Sequence, residues 1–331
     1  MTKNDLRPRI ARRSIVCGLL ALLGTSLLSP AMADFPDRPI RMIVGFGTGG
    51  NIDTLARILA DQLSKDLGQP VLVENKPGAG GNIGAAFVAK SAPDGYTILL
   101  GGTNYAIGPS WYKNLQFDIT RDLRVITTLT RNSNVLVVSP ASDLKTLDDV
   151  IKQAKENPDK LTFASSGAGT VVHLAGELFK SEAKVEMRHV PYNAVAPAEL
   201  DIMGGRVNMM FDSLPAAQPF INDGRMRAIG VTSATRSPFA PDIPTLSELG
   251  LKGYDASSWY AIWAPAGVSD GIVNRLNAAF DRAFKNADVQ ARIRNLGGEI
   301  FNRPPSESTA FVAEELAKWT ATVERLGPDP K

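Results

Sequence analysis

The chain repeats one local pattern along nearly its whole length. Short runs rich in Val, Ile and Leu are each followed by a cluster of Gly, Ser or Asn, and then by a stretch whose apolar residues recur with helical spacing. This alternation is typical of parallel sheets with crossover helices, so we predict an α/β fold. The predicted strands are residues 40–46, 71–75, 97–102, 135–139, 161–165, 186–190, 207–211, 227–232 and 258–264.

Capping residues predict where several helices begin. Asn51 is the predicted N-cap of the first helix. Thr146 and Asp149 have the spacing of a capping box and predict a helix over residues 147–156. Ser306 is the predicted cap of a C-terminal helix with an apolar stripe, and we expect that helix to pack against one lobe.

The N-terminal segment indicates export. Five basic residues precede an apolar run of 14 residues over 15–28, and the small residues AMA come directly before Asp34. The run is too short to span a membrane. We therefore predict a signal peptide over residues 1–33, cleaved after Ala33, and a periplasmic protein.

The predicted mature chain of 298 residues is longer than one hydrophobic core usually serves. Polar stretches at 130–134 and 251–258 indicate that the chain crosses between two lobes there and returns. We predict one lobe from residues 34–133 plus 257–331 and a second from residues 134–256, with a ligand cleft between them, in a monomer.

Charge and cysteine content exclude several classes of partner and linkage. The chain has 36 Lys and Arg against 34 Asp and Glu, and this near-neutral balance argues against nucleic acid or a membrane surface as a partner. Cys17, the single cysteine, lies in the predicted signal peptide, so we expect no disulfide.

Three loops that follow strands are candidate ligand sites. The sequence over 45–57 ends a strand in glycines and opens a helix, which leaves backbone N–H groups for an anion. Small polar residues end the strands near 102 and 165 in the same way, where open α/β sheets bind their ligands. The candidate binding residues of the three loops are Phe46, Gly47, Thr48, Gly49, Gly50, Asp53, Gly102, Thr103, Asn104, Ser165, Ser166, Gly169 and Thr170.

Other polar and aromatic residues allow two interpretations each. Asp212 ends a predicted strand and could meet a ligand or cap the helix predicted over 214–222, and we favour the cap. Asp53 is spaced to pair with Arg57, which favours a structural role beside its candidate binding role. Four aromatic residues could line a cleft, although aromatic residues in strands are more often core: Tyr105, Trp259, Tyr260 and Trp263.

A dinucleotide-binding interpretation competes for the first loop. Gly45, Gly47 and Gly50 satisfy GxGxxG, and Glu74 ends the next strand, where such folds place a ribose-binding acid. The export segment, a second glycine cluster at 77–85 and the lack of an accompanying catalytic set count against this interpretation.

The residues of a catalytic centre are not evident in the sequence. His173 and His189 are 16 residues apart without metal-ligand spacing, and a structural role is favoured for both. The segment 165–169 is not a GxSxG nucleophile elbow, and there is no GxxxxGK phosphate loop. We therefore expect no enzymatic activity, no metal and no cofactor.

Several segments, taken in order, resemble the tripartite tricarboxylate transporter substrate-binding proteins, also called the Bug family. The resemblance covers essentially the whole mature chain, and it is most specific in VENKPGAGGNIGA (73–85) and RSPFAPDIPTLSELG (236–250). It implies a type II periplasmic-binding-protein fold whose two α/β lobes close on a small carboxylate. The ligand would be held by the loop from Phe46 to Asp53, by residues 102–104, by residues 165–170 and by Asp212.

One departure from the family pattern lies in the first loop. Gly47 and Thr48 stand where such proteins usually have a proline-containing loop, so this loop should be more adaptable and should have an additional N–H donor.

The function implied is capture of a di- or tricarboxylate, an aromatic carboxylate or a related acid, and its delivery to the membrane subunits of a transporter. A sensor for a signalling system would share every residue discussed, and an exported NAD(P)-dependent oxidoreductase is the remaining alternative.

Overall fold

A computed structural model describes residues 35–192 and 194–326 of the chain. The predicted signal peptide and its cleavage site lie outside these residues. Both sheets belong to the unit that begins at residue 38. Within the described residues, no helix combines the length and the apolar character needed to cross a membrane.

Strands and helices alternate along most of the unit that begins at residue 38. The strands are β1 (Ile40–Val44), β2 (Val71–Asn75), β3 (Thr97–Gly102), β4 (Leu123–Asn132), β5 (Asn134–Val138), β6 (Thr162–Ser165), β7 (Arg188–Pro191), β8 (Met209–Ser213), β9 (Arg227–Val231), β10 (Ser258–Pro265) and β11 (Glu299–Ile300). The α-helices are α1 (Asn51–Leu67), α2 (Asn82–Ala89), α3 (Thr103–Trp111), α4 (Leu147–Glu156), α5 (Val171–Ala183), α6 (Val195–Met203), α7 (Leu214–Asn222), α8 (Asp270–Lys285), α9 (Ala287–Asn295) and α10 (Pro305–Arg325).

The described strands form two mixed sheets. The six-stranded sheet has the order β11-β4-β10-β3-β1-β2, and the five-stranded sheet has the order β7-β6-β8-β5-β9. In the first sheet, β1 is parallel to β2 and β3, whereas β10 runs antiparallel to both β3 and β4. In the second, β6 is parallel to β7 and β8, and β5 is antiparallel to its two neighbours. The repeating pattern had predicted parallel sheets. Both sheets also contain antiparallel strands, so that prediction is correct only in part.

The pattern of apolar runs located nine strands but missed two. Each predicted strand is present, with ends that differ by at most a few residues, whereas β4 and β11 were not predicted. The sequence of β4, LRVITTLTRN, is rich in β-branched residues but has polar residues throughout, so it does not read as an apolar run. Its last residues fall in the stretch 130–134, which the sequence indicated as a crossover.

One of the three predicted caps is confirmed and two are wrong. Thr146 and Asp149 form the reciprocal capping box, and α4 has the predicted bounds. Helix α1 begins at Asn51 itself, and its N-cap is Gly50. Helix α10 begins at Pro305, whose fixed φ suits the first helical position, so it starts ahead of Ser306.

The chain crosses between the sheets at two places that are hydrogen-bonded to each other. Ser133 alone separates β4 of the first sheet from β5 of the second, and the return runs from the end of β9 to Ser258. The Asn134 side-chain amide donates to the Ala256 carbonyl at 2.8 Å, and the Ser133 hydroxyl lies 2.8 Å from that of Ser233. The lobe boundaries stay a prediction.

A buried carboxylate attaches helix α10 to the six-stranded sheet. Both oxygens of Glu315 are used, because Oε2 accepts from Trp259 Nε1 at 2.7 Å and from Trp319 Nε1 at 2.9 Å, and Oε1 accepts from Lys318. Trp259 is 1% exposed and Trp319 is fully buried. Without this acceptor, two indole N–H groups would be buried without a partner.

We expect Glu315→Ala to lower the free energy of unfolding by about 2 to 4 kcal/mol, because each unpaired buried donor costs roughly 1 to 3 kcal/mol. The neighbouring Glu314 is exposed and provides the matched control, Glu314→Ala. Urea denaturation of the three proteins measures the effect. Equal loss in both variants would contradict the role assigned to Glu315.

Candidate ligand-binding cleft

A cavity of about 350 Å³ lies where loops of the two sheets meet. It is bordered by the segments that follow β1 and β3, by the start of β10 and by the segment ahead of α5. Its lining residues are Phe46, Asn51, Ile52, Gly80, Thr103, Asn104, Ile107, Tyr112, Ala168, Gly169, Thr170, Val171, Ser258, Trp259 and Tyr260.

Three helices begin at the cavity. Their first residues Asn51, Thr103 and Val171 all line it. Strands β1 and β3 are parallel neighbours, so the starts of α1 and α3 lie at the same edge of one sheet. A helix start carries partial positive charge and unpaired N–H groups, so this arrangement attracts an anion.

Two of these three helices lack a side-chain cap. The N-caps of α1 and α3 are Gly50 and Gly102, which have no side chain to accept a hydrogen bond. In contrast, the Thr170 hydroxyl accepts from the His173 N–H at the start of α5. The first-turn N–H groups of α1 and α3 are therefore the donors with the greatest capacity for an external acceptor.

The structure brings five of the fourteen predicted binding residues to this cavity. Those in its lining are Phe46, Thr103, Asn104, Gly169 and Thr170. The nine outside the lining are Gly47, Thr48, Gly49, Gly50, Asp53, Gly102, Ser165, Ser166 and Asp212. Ten further lining residues were not among the predicted set, although the sequence had marked the aromatic Trp259 and Tyr260 as possible cleft residues. Tyr105 and Trp263 pack instead in the core, with ring centroids 5.7 Å apart.

Asp53 holds the first loop in place. Its Oδ2 accepts from the Gly49 N–H at 2.9 Å and from Arg57 Nε at 3.0 Å, and its Oδ1 accepts from Arg57 and from the Asn75 amide. The hydrogen bond from Arg57 is the main cause that lowers the Asp53 pKa to about 2. Asp53 is therefore ionised, and its hydrogen bonds fix the conformation of the first loop. Its bonds to Arg57 agree with the pairing that the sequence spacing indicated.

The second loop is fixed through both of its polar side chains. The Thr103 hydroxyl accepts from the Trp259 N–H at 2.9 Å. Asn104 accepts from the Gly102 N–H at 3.1 Å and donates to the Gly80 carbonyl at 2.9 Å. Gly102 packs so closely on β10 that a Cβ there would lie 2.0 Å from the Trp259 carbonyl oxygen, so the position requires glycine.

The third loop is hydrogen-bonded to two neighbouring histidines, and the sequence had not predicted that these histidines would be in contact. The rings of His173 and His189 are 4.0 Å apart. His173 Nδ1 accepts from the Gly169 N–H at 3.1 Å, and His189 Nε2 shares a 2.7 Å hydrogen bond with the Ser165 hydroxyl. Burial lowers the pKa of His173 to about 3 and that of His189 to about 4, so both rings are neutral at physiological pH. These bonds fit the structural role favoured for both histidines.

Asp212 is buried away from the cavity. Its side chain is 1% exposed, and its Oδ1 accepts from the Ser213 N–H at 2.7 Å. The N-cap of α7 is Ser213, and no side chain caps that helix, so the predicted capping role of Asp212 is wrong. Burial, and next the nearby carboxyl of Glu199, raise the Asp212 pKa to about 8.

Comparison with known proteins identifies the family. A family model described as the tripartite tricarboxylate transporter family receptor matches residues 55–327. The chain belongs to this receptor family. Its predicted membership, its α/β fold class and its role as a receptor without enzymatic activity are confirmed by this match and by solved relatives.

Three solved structures are similar to this receptor over most of its length. The periplasmic binding protein BugD is 32% identical, with a TM-score of 0.71, over 88% of this chain and 98% of its own. Rpa4515 of R. palustris with adipate is 33% identical, with a TM-score of 0.74, over 88% of this chain and 98% of its own. MatC of Rhodopseudomonas palustris with bound malate is 32% identical, with a TM-score of 0.72, over 87% of this chain and 100% of its own.

The dinucleotide interpretation of the receptor's first loop does not agree with the structure. Glu74 forms a two-point salt bridge with Arg41, at 2.6 and 2.7 Å, and is not offered to a ribose. Gly45 serves packing, because a Cβ there would lie 2.7 Å from the backbone of Gly81. Membership in a receptor family removes the remaining support for an oxidoreductase.

We expect Asp212→Asn to stabilise the receptor increasingly as the pH rises from 5 to 8. The folded-state pKa lies above the unfolded value of 3.8, so the stability that the protonated carboxyl contributes is present below that value and is lost as the pH rises toward about 8. Asparagine does not titrate, so the difference between variant and wild type should grow by up to roughly 1.4 kcal/mol per pH unit.

Chemical denaturation of both proteins at pH 5 and pH 8 measures this difference. The exposed Asp242 provides the matched control, Asp242→Asn, measured at the same two pH values. An unchanged difference for Asp212→Asn would mean that the carboxylate is ionised in the folded protein.

Proposed function

We propose that this receptor captures a small carboxylate in the periplasm and delivers it to the membrane subunits of a tripartite tricarboxylate transporter. One observation supports this proposal most directly. Two helices without a side-chain cap, whose N-cap residues are Gly50 and Gly102, both begin at the same cavity. A bound carboxylate would accept from the N–H groups that these glycines leave without a cap.

The relatives support the same class of ligand. The adipate of Rpa4515 and the malate of MatC are both small carboxylates. Both proteins are similar to this receptor over most of its chain. The family description connects the receptor to a tripartite transporter, and BugD is named as a periplasmic binding protein. Cleavage of the signal peptide after Ala33 and a monomeric state in solution complete the proposal.

Capture would proceed by closure of the lobes predicted as residues 34–133 plus 257–331 and residues 134–256. The cavity is lined from both sheets, with Thr103 contributed beside β3 and Thr170 beside β6. Closure would surround the anion with fixed dipoles, and the closed form would give the transporter a surface that the open form does not have. No bond chemistry is involved. Among the fourteen predicted binding residues, some would contribute directly at the cavity wall, such as Asn104, and others would hold a loop, such as Asp53.

We expect Gly50→Asp to weaken carboxylate binding by at least ten-fold. The backbone of Gly50 has φ −78° and ψ 168°, which an aspartate N-cap adopts without strain, and a Cβ there meets no other atom within 4 Å. Its carboxylate would accept from the N–H groups proposed for the ligand and would repel an anion.

Isothermal titration with each acid that binds the wild type measures the affinity. Gly50→Ala is the matched control, because it adds the Cβ without an acceptor and should keep most of the affinity. Undiminished binding by Gly50→Asp would show that the start of α1 is not the anion site.

A further inference from the structure

We propose that the physiological ligand is an acid with one carboxylate and an apolar, ring-bearing body. This inference rests on the proposed function and narrows it, because the relatives with bound ligands hold the dicarboxylates adipate and malate.

The lining of the cavity is mainly apolar. Four aromatic and three branched aliphatic residues belong to its lining: Phe46, Tyr112, Trp259, Tyr260, Ile52, Ile107 and Val171. Aromatic side chains stack well on a ring, and they are rigid, so little side-chain entropy is lost when a ligand is bound. Such a wall gains from burying apolar ligand surface and offers little to a polar chain.

No charged side chain lines this cavity among the residues that the structure describes. Arg57, in the second turn of α1, is paired with Asp53, and the two histidines behind the third loop are neutral. A citrate-like ligand would bring three carboxylates into this cavity, and burying an ion without a partner costs several kcal/mol. The uncharged lining therefore selects against multiply charged acids.

The donors without a cap are concentrated at two neighbouring helix starts. They lie at the starts of α1 and α3, and these helices follow the neighbouring parallel strands β1 and β3. At the third loop, the Thr170 hydroxyl already caps α5, and the Gly169 N–H is bonded to His173. One carboxylate can thus be satisfied by the backbone donors of α1 and α3, while a second one would have to use the capped start of α5 or face the apolar wall.

Tyr112 forms a boundary of the cavity. It lines both the cleft and an adjoining groove of about 740 Å³. Its hydroxyl lies so close to Gly80 that a Cβ on that glycine would be 2.6 Å away, so the ring packs against the second glycine cluster. Lys90 and Lys113 line the groove but not the cleft, so the tyrosine also separates the cleft from these cations.

Matched pairs of acids test the inference directly. Isothermal titration of the purified mature receptor compares benzoate with terephthalate and hexanoate with adipate, because the members of each pair differ in one carboxylate. We expect the monoacid of each pair to bind at least ten-fold more tightly, benzoate to bind more tightly than hexanoate, and citrate to bind most weakly. Tighter binding of terephthalate and adipate, or of citrate, would overturn the inference and leave the proposed function intact. A folded receptor that binds no acid would contradict the proposed function itself.

The boundary at Tyr112 supplies a second test with its own control. Tyr112→Ala should join the cleft to the groove, so that decanoate gains at least ten-fold in affinity relative to hexanoate. Tyr112→Phe keeps the ring and should keep the wild-type preference. Thermal melting confirms that each variant is folded. An unchanged preference in a folded Tyr112→Ala would show that this residue does not limit the ligand, and a gain by adipate in place of decanoate would overturn the monoacid assignment.

Discussion

The backbone donors at helix starts are the constraint on which the cleft depends. A helix leaves its first N–H groups without internal partners, and proteins usually satisfy them with a Ser, Thr, Asn or Asp side chain. Helix α4 follows this practice through Thr146, whereas α1 and α3 have glycine at the same position. The first N–H groups of α4 are therefore capped within the fold, whereas α1 and α3 keep N–H donors that a ligand can use.

The rest of the site keeps these helix starts in position through hydrogen bonds. Asn104 connects the second loop to the second glycine cluster through the Gly80 carbonyl, and Thr103 accepts from the backbone of Trp259. Trp259 is in turn bonded through its indole to Glu315 of the C-terminal helix. The aromatic wall of the cavity is thereby attached to an element 56 residues further along the chain. Under the proposal above, this uncharged wall would select ligands by shape and by the number of their carboxylates.

The buried ionisable groups of the second sheet have a different role from the one their sequence positions suggested. Asp212 ends a strand, as a ligand-binding acid might, but it is buried beside Glu199 and lies outside the cavity lining. The histidines are separated along the chain, yet their rings lie 4.0 Å apart behind the third loop, and burial keeps both neutral. In each case the environment determines the protonation state, and sequence position gives no information about it.

Local rules in the sequence determined much of this protein. Apolar runs located nine strands, the Thr146 capping box located α4 to the residue, and the glycines after β1 and β3 marked two of the three loops that reach the cavity. These features depend on neighbours within a few residues, so they can be read from the chain. Tertiary structure alone decided that β10 returns antiparallel between β3 and β4, that Tyr112 and Tyr260 reach the cleft, and that Asp212 does not. The reason is physical: which face of a strand or helix is covered, and by what, depends on residues that are distant in sequence and meet only when the two sheets have formed.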